Sequence, residues 1–377
     1  MKEKIPRNVI LLSIVSLLND FSSEMIMPIL PMFLVSLGAS SVDIGILGGL
    51  RGLFSQIFKF PAGFLSDKLK RRKPFVFLGY FISGIFKFLL SFSTSIKAAL
   101  SFASLERIGK SIRTSPRDAL IAQSLPAKEG KVFGFHRAFD TLGAIGGVVG
   151  VLLLFWYLHL QLRTIILVAS IISILSLIFI LPLKEAPFQY QQLKGSLKEL
   201  PSSIKKFIFV SFIFNIANFS YMFFILKSQV IFKPHFLIVG PILLYLVFNI
   251  FYSLFSYPVG LWADREDKRK VICIGYLLFS FVCFGFAIST SLFGFLCFFI
   301  LYGIALSILE GVQRAYVASL IPSNIKATTL GIFHTFSGVG MLLASIIAGI
   351  LWKMFPEYAF IFAGWLSYVS GLMMLMI

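Results

Sequence analysis

Charged residues are scarce in this chain. They make up 13% of its 377 residues, whereas 58% are hydrophobic and 44 are phenylalanine. A typical soluble domain carries about 25% charged residues, and the mean hydropathy here is +0.92. The composition therefore excludes an ordinary soluble domain and predicts a protein that crosses a membrane many times.

Cysteine is also rare. Cys273, Cys283 and Cys297 are the only three, and each lies in an apolar stretch, where it indicates neither a disulfide framework nor a metal site. The sequence also lacks clustered metal ligands, a nucleophile elbow and a phosphate-binding glycine loop. We therefore expect no enzymatic activity, no cofactor and no bound metal.

Acidic residues are outnumbered, with 16 Asp and Glu against 34 Lys and Arg, which gives a net charge of +18. The basic residues concentrate in alternate connections between apolar runs, as the positive-inside rule describes. We expect both termini to lie in the cytoplasm of a cell-membrane protein. The excess charge then reflects topology and attraction to lipid headgroups rather than nucleic-acid binding. The first apolar run continues past Asn19 and Asp20 without a cleavage site, which favours a retained first span over a signal peptide.

Twelve apolar runs are long enough to cross a bilayer, for which about 20 residues are needed. They predict an all-α membrane protein with twelve transmembrane helices. The runs are 8–35, 43–65, 74–95, 97–121, 131–156, 161–183, 205–229, 237–261, 270–291, 293–320, 327–352 and 355–377.

The chain contains an internal repeat. Gly63 and Asp67 recur as Gly260 and Asp264, and both pairs are separated by 197 positions (260 − 63 and 264 − 67). Such parallel repeats predict two pseudo-symmetric six-helix bundles. The predicted division is an N-terminal bundle at 1–183, a polar cytoplasmic linker at 184–204 and a C-terminal bundle at 205–377.

The stretch 104–121 combines apolar surroundings with an unusual density of charge. Its residues 106, 110, 113 and 117 share one face of a helix, and each charge at membrane depth costs a few kcal/mol unless it faces the bundle interior or water. A surface loop between two spans is the alternative. As a helix, the stretch is expected to face a central cavity together with its counterpart at 293–320. Its ionised residues are Glu106, Arg107, Lys110, Arg113, Arg117 and Asp118.

Two carboxylates, Asp20 and Glu24, are spaced four residues apart in the first span. Acids at membrane depth are candidates for proton relay, although they could instead pair with Arg113 and Arg117 and only hold the bundle together. Lys87, about midway along the third span, could enter the cavity or extend along its helix towards the interface.

The loop GFLSDKLKRRKP at 63–74 resembles the signature between the second and third spans of the major facilitator superfamily of secondary transporters. Lys70 stands where that signature has an internal glycine, and Asp267 takes this position in the looser second copy. The resemblance implies twelve spans, alternating access, and a cytoplasmic gate formed by Gly63, Asp67, Lys68, Arg71, Arg72, Asp264 and Arg265.

The fifth span, HRAFDTLGAIGGVVG, resembles the glycine-rich antiporter motif of proton-coupled exporters in that superfamily, in a prokaryotic branch. Val148 replaces the usual proline. His136 and Asp140 share a helix face there, which suits proton coupling, while a static hydrogen bond to a neighbouring helix is the alternative. The predicted proton-coupling residues are Asp20, Glu24, His136 and Asp140.

Most of the membrane cations lie in the first half, and carboxylates can be neutralised by protonation. We therefore expect a small anionic or zwitterionic organic substrate, coupling to protons or sodium, and a monomer in the bilayer. A receptor or assembly protein of the same shape, without transport, is the alternative. In the second half, Glu310 and Arg314 could instead form a self-contained ion pair. The predicted substrate-binding residues are Arg107, Lys110, Arg113, Arg117, Arg137, Asn215, Asn218, Glu310 and Arg314.

Overall fold

The computed structural model describes residues 5–124, 129–185, 202–320 and 326–377, and no β-strand occurs in these ranges. The predicted all-α class is thus confirmed, while the linker at 184–204 lies outside the described residues except at its two ends. The helices are α1 (Arg7–Ile26), α2 (Leu30–Ser36), α3 (Ser41–Ile57), α4 (Lys59–Lys68), α5 (Lys73–Ser91), α6 (Ile96–Gln123), α7 (Glu129–Leu152), α8 (Leu162–Leu175), α9 (Ser202–Ala217), α10 (Tyr221–Ser228), α11 (Val239–Arg265), α12 (Lys268–Ile288), α13 (Leu292–Ser319), α14 (Lys326–Met354) and α15 (Pro356–Leu375).

Within the described ranges, ten helical segments are long and apolar enough to cross a membrane. Two of the twelve predicted spans fall outside this set for clear reasons. The second span is divided at Phe58 into α3 and α4, and α6 carries too many charges. The ten segments establish a multi-pass membrane protein, and the count of twelve stays a prediction.

Besides the second span, two more spans that the sequence analysis treats as single helices are interrupted. The first breaks at 27–29 between α1 and α2, beside Pro28 and with Pro31 in the first turn of α2, where a missing N–H does no harm. The seventh breaks at 218–220 between α9 and α10, and the Ser220 side chain accepts the N–H of Met222 to cap α10. Broken spans expose backbone polar groups at membrane depth, which is tolerated only inside protein or beside water.

The described residues pack as two units. The first comprises Met1–Leu37 and Ile57–Gln192, and the second comprises Gly38–Gln56 and Leu193–Ile377. Most of α3 therefore packs with the second unit, although the sequence analysis assigns the second span to the N-terminal bundle.

In the first unit, α1 packs against α7 and α8, and α5 packs against α6 and α8. The α1–α7 contact explains part of the glycine-rich motif. A Cβ at Gly143 or Gly147 would collide with the backbone carbonyl of Leu17 or Phe21. These glycines therefore let the two helix backbones approach closely.

In the second unit, α12 packs against α13 and α15, α11 against α13, and α9 against α14 and α15. Its interior is largely aromatic. Phe214 stacks on Tyr276 with ring centroids 4.2 Å apart, and Phe224 stacks on Tyr302 at 4.3 Å. Many of the 44 phenylalanines are accounted for by this core.

Candidate functional site

The charged stretch is a helix, as predicted, and not a loop. It lies within α6, whose N-terminus is capped by Ser95. The helix continues through Pro116 without a break. Glu106, Arg107 and Arg113 are all buried, which places the charged face of α6 in the interior of the first unit.

Arg113 lies at the centre of this polar interior. Its side chain is 2% exposed. Nη1 donates to Ser83 Oγ at 2.9 Å, and the guanidinium carbon lies 4.1 Å from the centre of the Tyr80 ring. Nε is buried and has no hydrogen-bond partner. Arg113 therefore has a hydroxyl and an aromatic face as partners, but no carboxylate within the described ranges.

Arg107 pairs with its neighbour Glu106, with Nε 3.0 Å from Oε2. Its Nη2 also donates to Met27 Sδ at 2.9 Å, at the break in the first span. Lys110, the residue spaced to pair with Glu106, is half-buried. The Glu106 carboxylate therefore pairs with the adjacent Arg107 and not with Lys110, which lies four residues further along the helix.

Arg117 is bound on two sides. Its Nε and Nη2 donate to Asp118 Oδ1 at 3.0 and 2.9 Å, and Nη1 donates to Ser16 Oγ at 3.1 Å. The alternative in which Arg113 and Arg117 pair with Asp20 and Glu24 is therefore not the arrangement seen.

Asp20 is half-buried and makes neither a hydrogen bond nor an ion pair within the described ranges. It interacts electrostatically with Lys110 and Arg113. Glu24 lies one turn further on, where its Cβ is 3.1 Å from the position of a Cβ on Gly147. Asp20 is thus a carboxylate close to cations without being bound by one.

His136 is buried and shares a hydrogen bond of 3.2 Å with Ser13 Oγ through Nδ1. Its Nε2 lies 3.6 Å from Asp140 Oδ1, beyond hydrogen-bond distance. Arg137, beside it, is exposed. The predicted pair on one helix face therefore exists, and the static bond to a neighbouring helix that was its alternative is present as well.

An ion pair and hydrogen bonds to a distant carboxylate stabilise the loop between α4 and α5. Arg72 donates to Asp67 Oδ1 through Nε at 3.0 Å and Nη2 at 2.8 Å. The Glu185 carboxylate accepts the backbone N–H groups of Arg72 and Lys73 and so caps α5. Gly63 faces Ser115 on α6, with a Cβ position 3.1 Å from Ser115 Cβ.

Lys70 occupies the left-handed region, with φ of 53°. The N–H of the next residue, Arg71, returns to the carbonyl of Ser66, which completes a helix end that normally takes glycine. Lys68 and Arg71 are exposed.

The second copy of the loop is arranged differently. Asp264 and Arg265 are exposed, and Asp264 Oδ1 lies 3.8 Å from Lys268 Nζ. Asp267 caps α12 by accepting the N–H of Arg269, whose side chain also donates to it. The residue at the glycine position therefore starts a helix here instead of ending one.

The four second-half candidates do not form a charged cluster. Asn215 is buried and donates to the carbonyl of Ser211 at 2.7 Å, and Asn218 lies at the α9–α10 break. Arg314 donates to the backbone carbonyl of Glu310, while the Glu310 carboxylate accepts from Tyr252 at 2.6 Å. Glu310 and Arg314 are both exposed, so the self-contained ion pair is not observed.

Comparison with known sequences decides the family. The sequence profile of the Major Facilitator Superfamily matches residues 12–243 and 237–377. The chain belongs to this superfamily. An uncharacterised MFS-type transporter of Methanocaldococcus jannaschii is 46% identical over 380 residues, covering 99% of this chain and 96% of that protein. A second one from the same organism is 23% identical over 360 residues, 92% of each chain.

Solved structures show the superfamily fold. The nucleoside transporter NupG superposes with a TM-score of 0.79 at 17% identity over 98% of both chains. The human organic anion transporter MFSD10 gives 0.69 at 16% identity, covering 98% of this chain and 99% of that one. The chain is therefore a multi-pass membrane protein of a secondary-transporter family, which is not an enzyme class.

The predicted site residues do not include Lys87, for which the sequence left two positions open. It does not extend towards an interface; it is 2% exposed and donates to Ser22, Ser23, Asn19 and Ser173. The signal was present in the first span, where Asn19, Ser22 and Ser23 fall on one helix face.

Proposed function

We propose that the protein moves a small anionic or zwitterionic organic solute across the cell membrane by alternating access of its halves 1–183 and 205–377. The observation that carries the proposal is Arg113, a buried guanidinium that, in the part of the chain that the structure describes, has no carboxylate partner and one unsatisfied N–H. A buried donor left without a partner costs about 1–3 kcal/mol. A carboxylate or phosphate would offset that cost through the planar fork of the arginine.

The balance of charge around Arg113 supports an anion. Arg107 is offset by Glu106 and Arg117 by Asp118. Lys87 and Arg113 remain buried with neutral partners only. On α5 and α6 the buried charged residues are Lys87, Arg107 and Arg113 against Glu106, and an anionic group lowers the cost of burying this excess of positive charge.

Coupling to protons completes the proposal, with Asp20 or Glu24 as the carrier and His136 and Asp140 as the second candidate pair. Asp20 lies near cations and makes no ion pair with one within the described ranges, and such a carboxylate can gain or lose a proton as those cations engage a substrate. We further infer export, from the antiporter-like fifth span, and a monomer with both termini in the cytoplasm.

Ligand binding to purified protein tests the proposal. A panel of organic carboxylates, phosphates, amino acids and organic cations is screened for compounds that raise the melting temperature. We expect hits among anions and zwitterions, and Arg113→Lys should weaken their binding at least tenfold while the melting temperature without ligand changes little. Arg269→Lys, at an exposed arginine in the first turn of α12, is the matched control and should leave binding unchanged. Hits confined to organic cations would refute the proposal.

Reconstituted vesicles distinguish a transporter from a receptor of the same fold. A transporter exchanges labelled for unlabelled solute across the membrane, whereas a receptor binds the solute on one side only. Absence of exchange for every compound that binds would favour the receptor.

A further inference from the structure

A buried cage of oxygen atoms surrounds the ammonium group of Lys87. Nζ lies 2.9 Å from Ser23 Oγ and 3.0 Å from Ser22 Oγ. The carbonyl oxygen of Asn19 follows at 3.4 Å, and Asn19 Oδ1 and Ser173 Oγ each lie at 3.5 Å. The five oxygens come from α1 and α8, and the lysine comes from α5, so the ammonium joins three helices.

All five oxygens are neutral. Within the described ranges no carboxylate lies at ion-pair distance from Nζ, and Glu106 and Asp20 act on it only from further away. Carboxylates dominate the sites of divalent cations. Carbonyl and hydroxyl oxygens without full charge are instead the ligands that hold Na⁺ and K⁺ inside membrane proteins.

The fold does not itself require this cage. At the repeat offset of 197, Lys87, Asn19 and Ser22 correspond to Phe284, Ile216 and Phe219. Ser23 and Ser173 correspond to Ser220 and Ser370, so two of the hydroxyl positions recur in the second half without the lysine. Lys87, Asn19 and Ser22 are therefore the members of the cage that only the first half carries.

We propose that these five oxygens form a site for a monovalent cation, and that Lys87 occupies the site as a tethered cation. Removing the lysine side chain then opens the site to free ammonium or potassium. The observed N···O separations suit those two ions better than the much smaller lithium. This inference concerns the binding site alone and does not depend on the proposed transport activity.

The test is the melting temperature of purified Lys87→Ala in choline, lithium, potassium and ammonium chlorides at equal ionic strength. In choline we expect the variant to melt well below the wild type. Potassium or ammonium should raise it by several degrees, and the wild type should not respond. Adding Ser22→Ala and Ser23→Ala to the variant should abolish the response. A melting temperature of Lys87→Ala that is the same in all four salts would overturn the proposal.

Lys87→Arg keeps the proposal testable if Lys87→Ala does not fold. The planar guanidinium retains the charge but is too large for a cage shaped around a compact ammonium. We expect a clear drop in melting temperature, whereas Lys206→Arg at an exposed site should be neutral. If Lys87→Arg is as stable as the wild type, the cage does not select a compact cation and the proposal fails.

Discussion

At the scale of single residues, charged side chains at corresponding positions of the two halves differ in burial. At the repeat offset of 197, Arg113 of α6 corresponds to Glu310 of α13, and Arg117 corresponds to Arg314. Arg113 is buried and has no carboxylate partner within the described ranges, whereas Glu310 and Arg314 are exposed, and Arg314 donates to a carbonyl of its own helix. Only the first arrangement leaves a cation that a substrate anion would stabilise.

The carboxylates of α1 give the first prediction. Asp20→Asn and Glu24→Gln remove the groups that could carry a proton, so at least one of them should abolish uptake driven by a pH gradient while solute exchange continues. The measurement is accumulation in reconstituted vesicles of a solute identified by the binding screen. Asp43→Asn is the control, because that carboxylate bonds to Ser40 outside this cluster. If both variants still concentrate the solute with normal pH dependence, coupling lies with His136 and Asp140.

Asp267 gives a prediction about pH. Hydrogen bonds from the side chain and then the backbone of Arg269 hold the pKa of this carboxyl below its ordinary value of 3.8. Because the pKa in the folded state is the lower one, the stabilisation is present above pH 3.8 and is lost as pH falls through the folded value. The melting temperature of the wild type should therefore exceed that of Asp267→Asn at pH 7, and the difference should shrink by pH 3. An equal difference at both values would show that the ionised form has no special role.

At the scale of helices and turns, backbone geometry decides which substitutions the chain tolerates. Lys70 adopts a left-handed conformation where the superfamily signature has glycine. Gly79 and Gly109 face each other where α5 crosses α6. A positive φ at Lys70 and the close approach of two helices at Gly79 and Gly109 limit which side chains fit at these positions.

Lys70→Gly should stabilise the protein. A left-handed residue other than glycine costs roughly 1 kcal/mol or more, and this substitution relieves that strain at the end of α4. Arg71→Gly, one residue further on, is the control and should not stabilise, because Arg71 has no positive φ. The readout is the melting temperature, and a gain from Arg71→Gly equal to that from Lys70→Gly would contradict the explanation.

Gly109→Ala should be strongly destabilising. Its Cβ would lie 2.5 Å from the carbonyl oxygen of Gly79 and 2.7 Å from the N–H nitrogen of Ser83, so α5 and α6 would have to separate at a cost of about 1–3 kcal/mol or more. Gly311→Ala in α13 is the matched control. A Cβ there meets nothing within 4 Å, so helix propensity should yield about 0.5–1 kcal/mol of stabilisation. Similar melting temperatures for the two variants would rule out this packing account.

At the scale of the whole molecule, the two units differ in what they bury. The first encloses charged side chains, among them Lys87, Glu106 and Arg113, and the second encloses stacked aromatic rings. The two units therefore bury different kinds of side chain, although the sequence repeats between them. This asymmetry is the reason to assign charge recognition to the first unit.

Topology provides the prediction at this scale. Single cysteines replacing Lys97 and Lys353 should react with an impermeant thiol reagent added to intact cells, whereas cysteines at Lys68 and Lys268 should react only after lysis. Cys273, Cys283 and Cys297 are first replaced by alanine. Labelling in the opposite pattern would place both termini outside and contradict the reading of the basic residues.

The membrane class, the helical content, the repeat and the superfamily can all be recognised from the amino-acid sequence. All of these depend on local composition and spacing, which act through burial in lipid and helix geometry. The sequence also located the charged helix, since six ionised residues in 104–121 cannot face hydrocarbon.

Only the tertiary structure decided which charges meet. Glu106 pairs with its neighbour Arg107 rather than with Lys110, and Lys87 turns inward to Ser22 and Ser23. Helical spacing places residues on a face, but it does not say which helix covers that face. The partners of a buried charge come from residues distant in the chain, and packing alone brings them within hydrogen-bond distance.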